Sequence, residues 1–585
     1  MKLAGSDVVI KILEANDAKY IFGVPGGHLC KFYDSMYQSK KITPILTKHE
    51  SGASFMATGY AQVSNEIGIC TGTVGPGATN LTTGVASAYM DSIPLVVITA
   101  QVGVSAVGKG GLQEATGVGR TIDHVELFNG MTKYSERISN VDKVKEAMRN
   151  AYRLAINGRP GPVHLDIMAN VFASELDIQE LELNKRINRL PTLAASNDIE
   201  EAAKIIFSSK NPAILAGAGA LNASQEILNL VERYNIPIAT TLRGKGIIPE
   251  DHDLSMGCLG LYGTNIANKY LRSDIDVLIA VGTSFSEFSS HAWDSRFQPS
   301  NALIQIDIDA WEMGKNYPTT VGLMGDSNLV LQQLLEAMEQ EGAQYHIADS
   351  THILKMKEQR EYFSDEKMLN DDMPLKPQRF MKLLRDYLPR DTIVFGDIGN
   401  TLPWLESFFL STMPNTFYVC SSLASMGYGV SASIGGQIAA ADRQVICVCG
   451  DGDFQMQGME VATAVNYNIP VIWFVLNNQS LAMISDIQNL FFGGRKTASE
   501  FINPDFVKFA EAMGAVGLRI TQSNEVEPIV KEAIQNRRPT VVDVLIDPNE
   551  APSFDARAEA MTRAWGASAP LLKKLKLIPQ LIKRM

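Results

Sequence analysis

Cysteine is scarce in this chain. Its six residues, Cys30, Cys70, Cys258, Cys420, Cys447 and Cys449, show neither the paired spacing of a disulfide framework nor that of a zinc site. That excludes a disulfide-stapled extracellular scaffold and points to a reducing, cytoplasmic setting. Long apolar runs are missing, so no segment reads as a membrane span. The opening, Met1-Lys2-Leu3-Ala4-Gly5-Ser6-Asp7, lacks a secretory pattern. Positive charge is in deficit: 52 Lys and Arg against 64 Asp and Glu leave a net charge of −12, which argues against a nucleic-acid partner. What remains is an ordinary globular composition, 45% hydrophobic and 20% charged. A chain of 585 residues exceeds one core, and two to four domains are expected.

Three segments alternate strand and helix patterns. Residues 1–183 contain Ile67-Gly68-Ile69-Cys70-Thr71 and Leu95-Val96-Val97-Ile98-Thr99 as strands. A polar linker, Asn184 to Asp198 with Pro191, follows. Residues 199–340 restart with Pro212-Ala213-Ile214-Leu215-Ala216-Gly217 and continue to Val277-Leu278-Ile279-Ala280-Val281-Gly282. A charged, weakly periodic stretch runs from Glu341 to Met373. Residues 374–550 carry strands expected at 392–396, 445–449, 471–476 and 540–546, and 551–585 form a tail. The alternation implies an α/β fold of three doubly wound, parallel-sheet domains.

The chemistry concentrates in Gly450-Asp451-Gly452, followed 27 residues after Asp451 by Asn478 in Leu476-Asn477-Asn478. Each element ends a run of strand formers, and a helical stretch, Gln457 to Asn466, lies between them. An acid and an amide therefore end neighbouring parallel strands, where open α/β sheets bind ligands. A carboxylate and an amide oxygen suit Mg²⁺, a hard ion that shares oxygens with a bound phosphate. Gly450 and Gly452 allow the backbone close to that phosphate. The triplet by itself is compatible with a plain turn; the pair of motifs at this spacing is far more specific.

These motifs resemble those of the thiamine diphosphate (ThDP)-dependent 2-oxoacid decarboxylase and acetolactate synthase superfamily. The resemblance covers nearly the whole chain. It includes Phe22-Gly23-Val24-Pro25-Gly26-Gly27, Gly75-Pro76-Gly77-Ala78-Thr79-Asn80, Arg159-Pro160-Gly161-Pro162 and Ile306-Asp307-Ile308-Asp309. It implies a pyrimidine-binding N-terminal domain, a central domain and a diphosphate-binding C-terminal domain, the first and third being structural relatives. It implies ThDP and Mg²⁺ as cofactors, with Asp451, Asn478 and the Ser480 carbonyl as metal ligands. Gly399, Asn400, Thr401, Gly452, Asp453 and Leu481 would line the diphosphate. Met426, in Ser425-Met426-Gly427-Tyr428-Gly429, would wedge the cofactor into its bent form. Glu50, in Lys48-His49-Glu50-Ser51-Gly52, would hydrogen-bond the pyrimidine nitrogen; read alone, it is a helix-start acid favoured by the dipole. Gln113 and Met483 would lie near the reaction.

The resemblance further implies a 2-oxoacid donor such as pyruvate. Loss of CO₂ would give an enamine that attacks an acceptor carbonyl, as in acetolactate synthase. The site would form between subunits of a homodimer or homotetramer. Departures bear on the substrate. His28 stands where acetolactate synthases usually carry a small apolar residue, and its loop is similar to that of benzaldehyde lyase. A lyase or decarboxylase using His28 as proton shuttle is the alternative, and a non-catalytic binding relative is a third reading. Ile487 replaces a Trp that selects the acceptor, Thr401 a His, and Asp453 a small residue. In the central domain Gly217-Ala218-Gly219 is kept. Gly260-Leu261-Tyr262-Gly263 and Gly282-Thr283-Ser284-Phe285-Ser286-Glu287 depart from the FAD-contacting pattern, so FAD is left open. The basic, apolar C-terminus from Leu571 reads as a tail packed on its own protein, with a membrane-surface helix or an active-site flap as alternatives.

Overall fold

The computed structural model describes residues 1–179, 183, 185–273, 275–340, 351–358, 365–553 and 560. The readings of the 571–585 terminus and of much of the 341–373 stretch therefore lie outside the described residues.

Each segment folds around a six-stranded, all-parallel sheet. In spatial order the N-terminal sheet runs Thr43–Leu46, Tyr20–Gly23, Gly68–Gly72, Leu95–Gln101, Val163–Met168, Ser135–Ile138. The C-terminal sheet runs Phe417–Val419, Ile393–Gly396, Val445–Gly450, Ile472–Asn477, Thr540–Leu545, Val516–Ile520. Counted along the chain, both follow the order 2-1-3-4-6-5, so one topology is used twice. The central sheet differs: Ser255–Leu259, Ile238–Thr241, Pro212–Ala216, Val277–Val281, Ala302–Asp307, Val321–Met324, the order 3-2-1-4-5-6. Its direction reverses between Pro212–Ala216 and Val277–Val281, which opens a crevice at their carboxyl ends. The strands read as near-continuous apolar runs because helices cover both faces; Leu95–Gln101 and Ile472–Asn477 are buried throughout.

The N- and C-terminal domains share one core. Phe22, Met56 and Tyr60 pack in the same cluster as Val430, Ile434 and Trp473. At its centre the helix Glu50–Ser64 crosses the helix Tyr428–Ala439. Gly59 and Gly435 make the crossing. A β-carbon on Gly59 would collide with the Ala432 carbonyl, and one on Gly435 with the Met56 carbonyl. Glycine is poor for a helix interior, so its presence here reflects the space between two backbones. The central domain is tied to its neighbours by charge. Arg159 Nη1 reaches Glu312 at 2.8 Å, and Arg243 reaches Asp91. Lys245 pairs with Glu250 at 2.7 Å with both buried, and Glu250 also accepts the Ser411 amide at 2.7 Å.

Helix propensity and packing oppose each other at the crossing, which gives a test of sign. Propensity alone predicts that Gly59→Ala stabilises by about 1 kcal/mol. Overpacking predicts a net loss of about 1–3 kcal/mol. We expect the apparent melting temperature to fall; a rise would show that the two helices can move apart at little cost.

Candidate active site

Strand Val445–Gly450 runs directly into the helix Asp451–Gln457. A helix unforeseen in the sequence, Asp451–Gln457, precedes the expected helical stretch, which forms as the turn Gly458–Glu460 and the helix Val461–Asn466. The reason is local: Asp453, in the first turn of Asp451–Gln457, accepts the Gly450 amide at 2.9 Å and closes that turn. Asp451 is 1% exposed. Its Oδ1 accepts the Gly452 amide at 2.8 Å, and its Oδ2 accepts Asn478 N at 3.1 Å, Gln479 N at 2.7 Å and Asn503 Nδ2 at 2.7 Å. Burial pushes the Asp451 carboxyl up, and these donors pull it back. The Asn478 Oδ1 lies 3.3 Å from the Ser480 hydroxyl, on the adjoining turn. The corner is thus rich in oxygen, which fits a hard divalent cation.

Two helix starts face this corner from adjacent strands. Gly399, with φ of +67°, and Asn400 lead into the helix Thr401–Phe408 beyond strand Ile393–Gly396. Thr401 is buried near Gly450. Paired helix N-termini favour an anion between them. Asn400 donates to Asp486 at 2.7 Å, while its own Oδ1 is buried and takes no hydrogen bond from the described residues. Leu481 and the Met426 methyl close over Gly452, at 2.7 and 3.3 Å from where a β-carbon would lie. The amides of Gly452 and Leu481 are already engaged, with Asp451 and with the Ser499 carbonyl at 2.8 Å. A phosphate would have to displace those bonds to use them. Asp453 lies against a second buried acid, Asp397, whose oxygens accept the amides of Ile398, Gly427 and Gly429 at 2.9–3.0 Å. Burial pushes Asp397 up to about 7 against those donors. Asp453, with a single backbone donor, is pushed well above the usual carboxylate range by burial and by Asp397.

Glu50 is the first residue of its helix, and the preceding His49 caps it by accepting the Ser51 amide at Nδ1, 3.1 Å. The Glu50 side chain is half-satisfied. Oε2 accepts Asn80 Nδ2 at 2.9 Å; Oε1 faces Gly77 and takes no hydrogen bond from the described residues. Asn80 and Gly77 sit at the start of the helix Pro76–Met90. The chain enters that helix through Gly75 at φ of +72°, a left-handed conformation that glycine adopts without strain. Gln113 lies over Gly75, its Cβ 3.0 Å from where a β-carbon on Gly75 would stand. Gly26 packs on Thr73, which brings the short turn Gly27–Leu29, with His28 half-buried in it, beside the same segment. The predicted residues Glu50, Gln113 and His28 are therefore gathered around one turn.

Among the described residues no hydrogen bond or ion pair joins the Glu50 group to the Asp451 group. Glu460 links the N-terminal segment to the C-terminal domain: it accepts Lys48 N at 3.0 Å and His49 N at 2.9 Å. It lies in the turn Gly458–Glu460, past the end of the helix Asp451–Gln457. Sequence reasoning missed Glu460 and Asn503. Asn503 lies in an irregular segment and shows its role only by donating to Asp451 and, at 2.8 Å, to Asn477. Met483 lines a large cleft of about 1150 Å³ between the three domains, with Gly217, Gly219, Gly282, Asp307 and Arg243, and Gly399 of the candidate site opens onto it. This is the crevice opened by the strand reversal of the central sheet. Burial pushes the Asp307 carboxyl up to about 6 there.

Three family models match the chain along its length. The N-terminal TPP binding domain of thiamine pyrophosphate enzymes matches residues 3–123, the central domain 199–334, and the C-terminal TPP binding domain 397–544. The chain belongs to the thiamine pyrophosphate-dependent enzymes, within the family of acetolactate synthase large subunits. It is 40% identical to a probable acetolactate synthase large subunit of Methanocaldococcus jannaschii, over 94% of this chain and 93% of that one. It is 34% identical to the acetolactate synthase large subunit of Corynebacterium glutamicum, over 99% and 91%. It is 32% identical to the acetolactate synthase isozyme 3 large subunit of Escherichia coli, over 96% and 98%.

If Asp451 anchors the cofactor through Mg²⁺, the stabilisation by ligand must depend on it. ThDP with Mg²⁺ at a hundredfold its Kd should stabilise the parent by about 2.7 kcal/mol. Asp451→Ala should show no Mg²⁺-dependent shift of the melting temperature. An undiminished shift would exclude Asp451 as the anchor.

Proposed function

We propose that this protein is a ThDP- and Mg²⁺-dependent carboligase. It would take a 2-oxoacid such as pyruvate, release CO₂ and join the remaining acyl unit to a second carbonyl compound. The observation that carries this reading is the pair of prepared half-sites. One has a buried acid among oxygen ligands facing two helix N-termini. The other has a buried acid with one committed and one free oxygen.

Bound ThDP would supply a nucleophilic carbon that adds to the donor carbonyl and accepts its electrons as CO₂ departs. Asp451 and the oxygens of Asn478 and Ser480 would hold Mg²⁺ and, through it, the diphosphate. Gly399, Asn400, Thr401, Gly452, Asp453 and Leu481 would surround the phosphates, with Met426 and Met483 beside the ring system. Glu50 would hold a proton at the pyrimidine nitrogen through Oε1, because Asn80 already occupies Oε2. No hydrogen bond joins Glu50 to Asp451 among the described residues, and in this reading a second copy brings its Glu50 to this chain's Asp451. The working species would be a homodimer or homotetramer. We place the domain limits at 1–183, 199–340 and 374–550, with 551–585 as a tail. The central cleft suits a nucleotide such as FAD by size and place, although its 260–263 and 282–287 segments depart from the flavin-contacting pattern. Flavin fluorescence released on denaturation would test this. All six cysteines are free, which supports a cytoplasmic setting.

The reaction itself is tested by product. With pyruvate as donor and acceptor, the expected products are CO₂ and a 2-aceto-2-hydroxy acid. CO₂ with free acetaldehyde alone would overturn the carboligase. Glu50→Gln should slow exchange of the ThDP C2 proton, followed by NMR, by about 10²–10⁴-fold while the cofactor still binds. Exchange at the parent rate would remove Glu50 from this role.

His28 separates a proton-handling loop from a structural one. If it carries protons, His28→Ala should lose about 10²–10⁴-fold in turnover, keep its ThDP affinity and lose a limb of the pH profile near neutrality. A loss below about tenfold, or one that follows cofactor binding, would make His28 structural.

A further inference from the structure

Beneath the turn that holds Glu50 lies a buried polar cluster that touches neither Glu50 nor Asp451. Its hub is Asp166, on strand Val163–Met168 and fully buried. Oδ1 accepts the Thr99 hydroxyl at 2.9 Å and lies 3.0 Å from His124 Nδ1. Oδ2 accepts Gln101 Nε2 at 3.1 Å and Arg137 Nε at 2.8 Å. Burial pushes this carboxyl up, but its hydrogen bonds from His124 and Arg137 outweigh it and hold Asp166 below the usual range.

Two arms leave the hub and both end at the candidate site. The first is His124, also fully buried. Its Nε2 lies 3.2 Å from the Gly75 amide. An amide can only donate, so Nε2 must carry the lone pair. Nδ1 then carries the proton and gives it to Asp166, which selects that tautomer. The second arm fixes the segment after Gln113. Gln101 binds both backbone groups of Ala115, at 2.8 and 3.1 Å, and Arg137 binds the carbonyls of Ala115 and Thr116 at 3.1 and 3.0 Å. Gln113 in turn rests on Gly75. A single carboxylate therefore holds two loops in register, and the helix that begins one residue after Gly75 carries Gly77 and Asn80 against Glu50.

We propose that His124, held in one tautomer by Asp166, is a positioning residue of this site: its Nε2 fixes the Gly75 amide and thereby sets how Asn80 and Gly77 meet Glu50. This rests on the ThDP reading of Glu50. A polar cluster serving only the core would be indifferent to which ring nitrogen is replaced, whereas the proposal requires an acceptor at the Nε2 position.

The test uses the full-length holoenzyme with ThDP and Mg²⁺. His124→Asn keeps a donor for Asp166 but removes the acceptor for Gly75; His124→Gln reaches far enough to keep an acceptor. His124→Asn should slow C2 proton exchange of bound ThDP by about 10–10²-fold, the scale of a misplacement near 1 Å, with cofactor affinity little changed. His124→Gln should recover most of that loss. Equal losses in the two variants, or a loss that follows melting temperature or ThDP affinity, would overturn the proposal. A measurement on the parent needs no variant to fold. The ring ¹⁵N shifts of His124 in histidine-labelled protein should report a protonated Nδ1 and a bare Nε2, and the opposite tautomer would overturn the proposal. If the parent binds no ThDP, the functional reading fails instead, and the ¹⁵N shifts still decide the Asp166–His124–Gly75 geometry.

Discussion

The close crossing of the helices Glu50–Ser64 and Tyr428–Ala439 is the contact on which the rest of the arrangement depends. With Gly59 and Gly435 at the crossing, the two backbones approach with no side chain between them. Everything flanking the crossing is then brought into bonding range. Gln457 reaches the Ser51 hydroxyl at 2.8 Å, Ser87 meets Ser425 at 2.9 Å, Tyr428 meets Gln62, and Glu460 takes the amides before Glu50. The N- and C-terminal domains become one body with a continuous core. Protein interiors are close-packed, so such a contact sets distance as well as adhesion.

Charge placement explains how the C-terminal half-site tolerates its own acids. Asp451, Asp453 and Asp397 stand close together beside an expected diphosphate, and unpaired charges at such density would be costly. Each is managed differently. Asp397 is ringed by backbone amides at the start of a helix, where a negative charge is favoured. Asp451 gathers four donors and faces the oxygen-rich corner suited to a divalent ion. Asp453 has the fewest donors and is the acid most strongly driven toward its neutral form. The N-terminal half-site solves a simpler problem, with one acid, one committed oxygen and a turn held from below.

The motifs legible in the chain were those in which ligand chemistry coincides with strong local patterning. Asp451 and Asn478 each follow a buried run of strand formers, and those strands formed within a residue or two of expectation. Glu50 was legible only through the resemblance, since read alone it is an ordinary helix-start acid, and Asn80 was read only as part of the Gly75–Asn80 loop. The short helix Asp451–Gln457 went unread, because Asp453 caps it with a side chain and leaves no apolar periodicity to read. Asn503, Glu460 and Asp486 gave no signal. Their partners lie 52, 411–412 and 86 positions away along the chain, and an isolated polar residue in a loop or helix looks the same whatever it meets.

By itself the sequence determined the three parallel-sheet units and, through motifs it shares with thiamine pyrophosphate enzymes, the cofactor class. Those properties depend on alternating hydrophobic runs and on residue types at strand ends, both local along the chain. Only the tertiary structure decided that the outer sheets share one strand order, 2-1-3-4-6-5, while the central sheet takes another, 3-2-1-4-5-6, since strand order follows from how crossovers pack. It also decided that Glu50 keeps Oε1 free, that the Leu481 and Gly452 amides are already engaged, and that Asp166 governs the turn beneath Glu50. Each of these is a competition among donors and acceptors brought together from distant positions, and its outcome depends on distances of a few tenths of an ångström that no local pattern encodes.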